Sequence, residues 1–541
     1  MRTSFFLLST VMMGLGVCNS AHAEENKIQS APVISGNSGT RTKIIYNLDT
    51  GVALPGEKPA QTYFHPAHNV NLPALQPGAG EAGDKEEHAE SEAVQQTESF
   101  TFGSAEEEPV ANMSAQTTTQ ESKSSEQLEF SGKIEAQAGY VVGNSPGVTS
   151  TTTERFTPEV KWWIGKGWDA KLSYDLDYHG EYGTRDYDMG AVRYNEIYLR
   201  HTGEKYALTL GSQKVIWGRV DGMKPTDQLG SLDLREAFIR DYEDTRRAVP
   251  AVRGEYYTGD YKLDGLFVFD LRESEVANRE SMWGIVDPHR GRIAGLAENP
   301  ALNQIISNAT FGKDDSGIGG GGIRASKTGG SADYALTVQR ARRTIPYYEV
   351  NPEITDAVKN GVSLPVAMAT STGDTVTARY PWMWVVGGDV AVPVGSAVLR
   401  AEGAWLSDMP VYKSDYSKGS EDAYIFVAGG EFYPGDDELR VILQGMAQIM
   451  PGAHDVLDRT DTYSLGGSIE DTFFQGKWVA NIDFTIGLDE YDLYINPGIT
   501  YKGFDAHEIY LEGHYFDGAP QTFGDYYRNN SLITAGWRYQ F

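Results

Sequence analysis

From Phe130 onward the chain is patterned in twos. Phe130, Gly132, Ile134, Ala136, Ala138, Tyr140 and Val142 alternate with Ser131, Lys133, Glu135, Gln137, Gly139 and Val141. Trp168, Ala170, Leu172, Tyr174, Leu176 and Tyr178 alternate with Asp169, Lys171, Ser173, Asp175, Asp177 and His179. Period two is the signature of a strand with unlike faces. About 11 residues is the length a tilted strand needs to cross a bilayer core. The pattern predicts eighteen strands, near 129–142, 155–164, 168–178, 191–202, 205–215, 250–258, 261–271, 319–327, 331–341, 382–392, 396–406, 421–433, 438–450, 462–475, 478–488, 491–502, 505–516 and 530–541. The weakest patterns are 319–327 and 382–392. Gly, Pro and Asp mark tight turns such as Gly165-Lys166-Gly167, Gly203-Glu204 and Gly259-Asp260. Apart from Asp489-Glu490, the intervening connections are long. An even strand count with alternating short and long connections predicts an all-β, transmembrane, up-and-down antiparallel barrel. A soluble sandwich or propeller also alternates, but its strands are shorter and its connections do not alternate in this way.

The chain also stops inside a strand. Ile533, Ala535, Trp537, Tyr539 and Phe541 hold every second position up to the terminal residue. Trp537, Tyr539 and Phe541 are similar to the C-terminal signal by which outer-membrane barrels are recognised for assembly.

The first 127 residues are different. Arg2, the apolar run Phe5 to Val17 and Ala21-His22-Ala23 read as a signal peptide over residues 1–23. A lipoprotein box at Leu15-Gly16-Val17-Cys18 is the competing reading, and Val17 fits it poorly. Residues 24–127 read as a disordered, acidic periplasmic extension. From Glu81 to Phe130 there are 13 Asp and Glu against Lys85 and Lys123 alone, with few apolar residues to bury. The barrel then occupies residues 128–541. No run of 18 apolar residues follows residue 17, so no transmembrane helix is expected.

One connection carries most of the charge. Residues 216–249 hold Asp221, Asp227, Asp233, Glu236, Asp241, Glu243 and Asp244 against Arg219, Lys224, Arg235, Arg240, Arg246 and Arg247. Connections this long are functional or disordered. Trp217, Leu232, Leu234, Phe238 and Ile239 can anchor it, so it is expected to fold inward and form a constriction. Trp217-Gly218 would make the bend at the wall. Arg235, Arg240, Arg246 and Arg247 would meet wall carboxylates such as Asp175, Glu196 or Glu255, beside Arg253. Strand parity also places Asp177, Asp264, Glu402, Lys171, Arg324 and Arg400 among the inward residues, giving a mixed, mildly acidic lumen.

Composition narrows the function classes. A net charge of −29 argues against nucleic acid as a partner. Cys18, the one cysteine, lies inside the signal peptide. The mature chain then has no disulfide and no c-type haem site. His179, His201, His507 and His514 occur singly, without a Ser/His or Asp/His arrangement. Asp314-Asp315 lacks the spacing of a calcium loop. No catalytic residues, metal ligands or cofactors are therefore expected.

Gly211-Ser212-Gln213-Lys214-Val215-Ile216-Trp217-Gly218, then Asp227, then Asp233-Leu234-Arg235-Glu236, resembles porin-like outer-membrane proteins of proteobacteria. Alginate-export-type eighteen-stranded barrels are a more distant likeness. The resemblance implies an outer-membrane channel of a Gram-negative bacterium and supplies no substrate. The expected partners are outer-membrane lipid, the barrel-assembly machinery and a small-molecule solute. Both chain ends would lie in the periplasm. The alternative is a barrel component of an export or lipid-trafficking assembly, docked to a periplasmic protein through the extension.

Overall fold

Every second residue of each predicted strand turns out to face away from the protein. In β5 (Tyr206–Gln213), Tyr206, Leu208 and Leu210 are exposed while Ala207 and Thr209 are buried. In a soluble protein such a row of bare apolar side chains would be a liability. Repeated around the whole wall, it is the belt that a bilayer covers. The computed structural model describes residues 127–236, 239–240, 242–314, 317–435 and 438–541. The signal-peptide and extension readings, and Phe238 and Asp241, lie outside the described residues.

All eighteen predicted strands are present, including the two with the weakest patterns. They are β1 (Gln127–Val141), β2 (Val148–Gly165), β3 (Trp168–Gly183), β4 (Tyr187–Thr202), β5, β6 (Val249–Thr258), β7 (Tyr261–Val268), β8 (Gly320–Lys327) and β9 (Asp333–Arg342). The second half comprises β10 (Trp382–Val394), β11 (Ala397–Tyr412), β12 (Lys418–Phe432), β13 (Leu439–Ile449), β14 (Thr462–Phe473), β15 (Trp478–Gly487), β16 (Asp492–Phe504), β17 (His507–Gly518) and β18 (Leu532–Gln540). Each strand pairs antiparallel with its neighbours in sequence, and β1 pairs with β18, from Lys133 opposite Gln540 to Val141 opposite Leu532. The sheet is a closed eighteen-stranded barrel with no free edge. Phe541 extends the seam by exchanging backbone hydrogen bonds with Gly132, at 2.9 and 3.1 Å.

Several strands outrun their predicted ends, farthest toward the long connections. β2 begins at Val148 rather than 155, β3 runs on to Gly183, and β11 runs on to Tyr412. Beyond the lipid belt the outer face also meets water, so Thr-rich or mixed residues serve and the apolar alternation fades. Two connections read as long are therefore tight, at 184–186 and 413–417.

The remaining long connections are folded. Ser231–Leu234 pairs in parallel with Glu275–Val276 and antiparallel with Arg246–Arg247. Phe311–Asp314, Val376–Arg379 and Tyr347–Val350 form a second small sheet that joins 269–319 to 343–381. Helix Pro300–Ser307 starts where Asn299 accepts a hydrogen bond from the Ala301 N–H and Pro300 fixes the first turn. It buries Leu302, Ile305 and Ile306. These join Trp283, Val286, Tyr347, Tyr348, Tyr526 and Tyr527 in one apolar cluster. Each large side chain withdrawn from water contributes roughly 1.5–3 kcal/mol, which is why these connections are ordered.

Candidate functional site

The segment between β5 and β6 leaves the wall at a glycine. Gly218 has φ +117°, and a Cβ there would lie 2.5 Å from Glu402 Oε2. No other residue suits both the backbone conformation and the space. Glu402, on the inner face of β11, accepts hydrogen bonds from the Arg219 N–H (3.0 Å), the Thr226 N–H (2.8 Å) and the Thr226 hydroxyl (2.8 Å). The carboxylate thus gathers both ends of the first turn of the segment. Trp217 is buried, and its indole N–H donates to Asp264 of β7 at 3.2 Å. Arg219 pairs with Asp389 of β10 (2.8 Å) and Asp333 of β9 (3.2 Å). Asp221 pairs with Arg400 of β11 at 3.2 Å and accepts from Gln444 of β13 at 3.0 Å.

The far part of the segment is bonded to a different stretch of wall. Arg235 pairs with Asp177 of β3 at 2.7 Å and with Asp233 at 2.6 Å. Glu236 accepts from the Thr153 hydroxyl at 2.8 Å, lies 2.7 Å from His179 Nδ1, and pairs with Arg155 of β2. Asp244 pairs with Lys133 of β1 at 2.6 Å. Residues 219–226 are therefore held to β9, β10 and β11, and residues 235–244 to β1, β2 and β3. Within the segment, Arg240 pairs with Asp233 (2.7 Å), and Arg246 pairs with Asp227 (2.5 Å) and donates to the Val215 carbonyl and the Tyr242 hydroxyl. The Lys224 ammonium lies 5.2 Å from the Tyr242 ring centroid. Burial pushes the Asp233 carboxyl up, but the Arg235 and Arg240 guanidinium groups outweigh it and hold it well below the usual carboxylate range.

The structure redistributes the expected pairings. Asp175, Glu196 and Glu255 do not receive the segment's arginines. Asp175 accepts from Thr157 and Asn195. Glu196 pairs with Lys171 at 2.8 Å and accepts from the Lys214 N–H. Glu255 pairs with Lys262 (2.6 Å) and Arg253 (3.2 Å), and Arg253 also pairs with Asp264. Glu196 and Glu255 have basic neighbours on their own or adjacent strands, and Asp175 has a hydroxyl and an amide, all of which reach without a long segment being ordered. Arg247 turns instead to Glu275 (3.6 Å) and the Glu273 carbonyl. Strand parity had pointed to Glu402 and Asp177 only as two inward acids among many, and Arg155, Lys133, Glu135 and Asp389 carried no distinguishing signal.

Between residues 239–244 of the segment and the wall lies a narrow gap, with about 20 Å³ of room for water-sized molecules. It is lined by Glu135, Gln137, Arg155, Ile239, Arg240, Asp244, Asn496, Tyr510, Glu512 and Arg538. Acid and base are interleaved there. Arg538 pairs with Glu135 (3.0 Å) and Glu508 (3.2 Å), and the Tyr510 hydroxyl donates to Glu135 at 2.9 Å.

At the seam, Trp537, Tyr539 and Phe541 point outward as a stack. Trp537 and Tyr539 each stack on His507, at 5.8 and 4.4 Å between centroids, and Phe541 stacks on Tyr539 at 5.8 Å. Among the described residues, no group of three His, Cys, Asp or Glu side chains is placed to hold a metal, and no helix is long and apolar enough to cross a membrane.

No protein-family model matches this sequence, and no curated protein matches it. Solved structures do align with it. A Salmonella typhi OmpF–daunomycin complex aligns over 76% of this chain and 97% of its own, with 10% identity and a TM-score of 0.38. Pseudomonas aeruginosa OccK7 aligns over 77% and 98%, with 10% identity and a TM-score of 0.39. A mutant Rh. blastica porin aligns over 77% and 100%, with 11% identity and a TM-score of 0.33. Likenesses this distant leave the reading on the chain's own features: a closed strand order, an apolar outer belt and a charged interior. Those are the features of an outer-membrane β-barrel.

Proposed function

We propose that the protein is a porin-like channel, and that small solutes cross it through a lumen narrowed by residues 216–249. The observation that carries this reading is the double attachment of that segment, through Glu402, Asp389 and Arg400 on one side and Asp177, Arg155 and Lys133 on the other. A segment fixed at both sides of the interior leaves solutes the space beside Arg155, Arg240, Asp244 and Arg538. Its mixed lining suits small polar or zwitterionic solutes better than polyanions, which need an electropositive path. In this reading the short turns and both chain ends face the periplasm, and residues 24–127 form a periplasmic extension.

The test is single-channel conductance of the purified protein. Replacing Lys224 to Thr245 by a short Gly-Ser linker is expected to raise open conductance severalfold in a barrel that still shows heat-modifiable gel mobility. Wild-type conductance in that folded variant would place the passage elsewhere.

A further inference from the structure

The arginines of the barrel strands nearly all face inward and meet carboxylates. Arg340 of β9 does neither. It shares the outward face with Tyr334, Leu336 and Val338, and among the described residues no carboxylate pairs with it. Directly across the β9–β10 ladder, Arg340 faces Trp384 and Arg342 faces Trp382. The Arg340 guanidinium lies 5.4 Å from the Trp384 ring centroid and 5.5 Å from that of Trp382. Two tryptophan faces hold an arginine extended rather than coiled back to its own backbone. Arg342, two residues on, is oriented by its Nε–H, which donates to the Tyr380 carbonyl at 2.9 Å. Residues two apart on one strand face stand roughly 7 Å apart.

The other side of Arg340 is apolar. Its neighbour on β8 is Gly321, which is followed across the next ladder by Phe267 of β7. The Phe267 ring lies over Gly321, within 3.4 Å of where a Cβ would stand, and the exposed Ile323 and Val338 continue the apolar face below it. All of this sits at the long-connection end of the belt, where β9 gives way to 343–381. An arginine on the lipid face is costly at mid-bilayer and tolerated near the interface, and an anion there turns it from a cost into a contact.

We propose that this outward patch binds the phosphorylated headgroup of an outer-leaflet glycolipid. Arg340 takes the phosphate, Trp382 and Trp384 pack against the sugars, and acyl chains run along the apolar face of Phe267, Ile323 and Val338. A guanidinium fork matches a phosphate through two parallel hydrogen bonds. Sugar-bearing, multiply acylated lipid fits a site that combines flat aromatic rings with a broad apolar face better than a phosphoglyceride does. The inference takes the long-connection end as the cell-surface end, as the channel reading does, but its test reads binding in detergent and is independent of conductance.

Purified wild-type barrel is titrated with bis-phosphorylated lipid A, with its dephosphorylated form and with phosphatidylglycerol, and bound lipid is counted by native mass spectrometry. Lipid A is expected to bind wild type roughly tenfold or more tightly than the other two, the scale of one charge-assisted contact. Arg340→Gln is expected to bring lipid A down to the level of the dephosphorylated form. Should Arg340→Gln fail to give a heat-modifiable barrel, Arg340→Lys is measured instead. It keeps the charge but loses the fork and the stacking, and is expected to lose part of the preference. Unchanged lipid A binding in the folded variant would overturn the site. Equal, Arg340-dependent binding of phosphatidylglycerol would overturn the glycolipid assignment.

Discussion

Two insertions fold at the same end of this barrel, by opposite means. Residues 216–249 are tied to the wall through charge, and Asp233, buried against Arg235 and Arg240, is held well below the usual carboxylate range. The cluster around 269–319 and 343–381 is held by apolar packing of Trp283, Ile305, Tyr347 and Tyr527. In that second setting Asp458 accepts the Tyr412 N–H at 2.6 Å, and burial pushes its carboxyl up to about 7, with Arg343 offsetting only part of the effect. Both aspartates are removed from water. What differs is that two guanidinium groups pair directly with Asp233, while Asp458 is offset chiefly by backbone N–H groups and only weakly by Arg343. The two also meet, where Asp233 and Leu234 pair with Glu275 and Val276 and where Leu232, Leu234 and Tyr242 join the apolar cluster.

The largest effect that would break this contrast is in the apolar insertion. Trp283→Ala is expected to cost roughly 3–5 kcal/mol locally. Amide exchange should quicken across 281–294, while the Arg219 and Thr226 amides keep wild-type rates. If all of them quicken together, the two insertions are one cooperative body. Next is Glu402→Ala, which removes the acceptor for three donors. At roughly 1.5–3 kcal/mol for a hydrogen bond to a charged group, exchange at Arg219 and Thr226 should rise by about ten- to a hundredfold, with the Trp283 region unchanged.

A smaller effect is the pH response of Asp458. Its folded pKa lies above its unfolded value, so the folded state keeps a proton that the unfolded state releases. The stability it contributes is present at low pH, declines as pH rises from about 4 to about 7, and is flat above that. Asp458→Asn should remove this slope, read as exchange at the Tyr412 amide against pH. Smallest in stability is Arg235→Ala. Asp233 keeps Arg240 and Asp177 keeps Arg193, so no carboxylate is stranded. The expected change is in reversal potential, shifted toward cation preference by the lost positive charge.

The strands were legible because lipid and lumen make unlike demands on alternate residues, and even the faint β8 and β10 kept that alternation. Their ends were not, because past the belt both faces meet polar surroundings. The charged segment was legible as a segment, from its length and its apolar anchors. Its partners were not. Arg235 meets Asp177 rather than Asp175, two residues away on the same face of β3, and nothing local distinguishes the two acids. Glu402 is as opaque in sequence. Its role depends on Gly218 arriving opposite it, and that is a fact about the bend.

The seam between β1 and β18 bears on how the barrel can be made. Every other strand pairs with a neighbour in sequence, so the wall can zip forward hairpin by hairpin with little chain entropy lost at each step. The seam alone joins opposite ends of the strand series, Ile134 to Tyr539. Closing a free chain of about 400 residues would cost roughly 5 kcal/mol beyond a constant, but a sheet already built needs only to curl. Until it does, two strand edges carry unpaired backbone groups in hydrocarbon, at several kcal/mol per group. Seventeen strands are thus no partial success, and the chain gains its stability in lipid at the last pairing, where Phe541 meets Gly132.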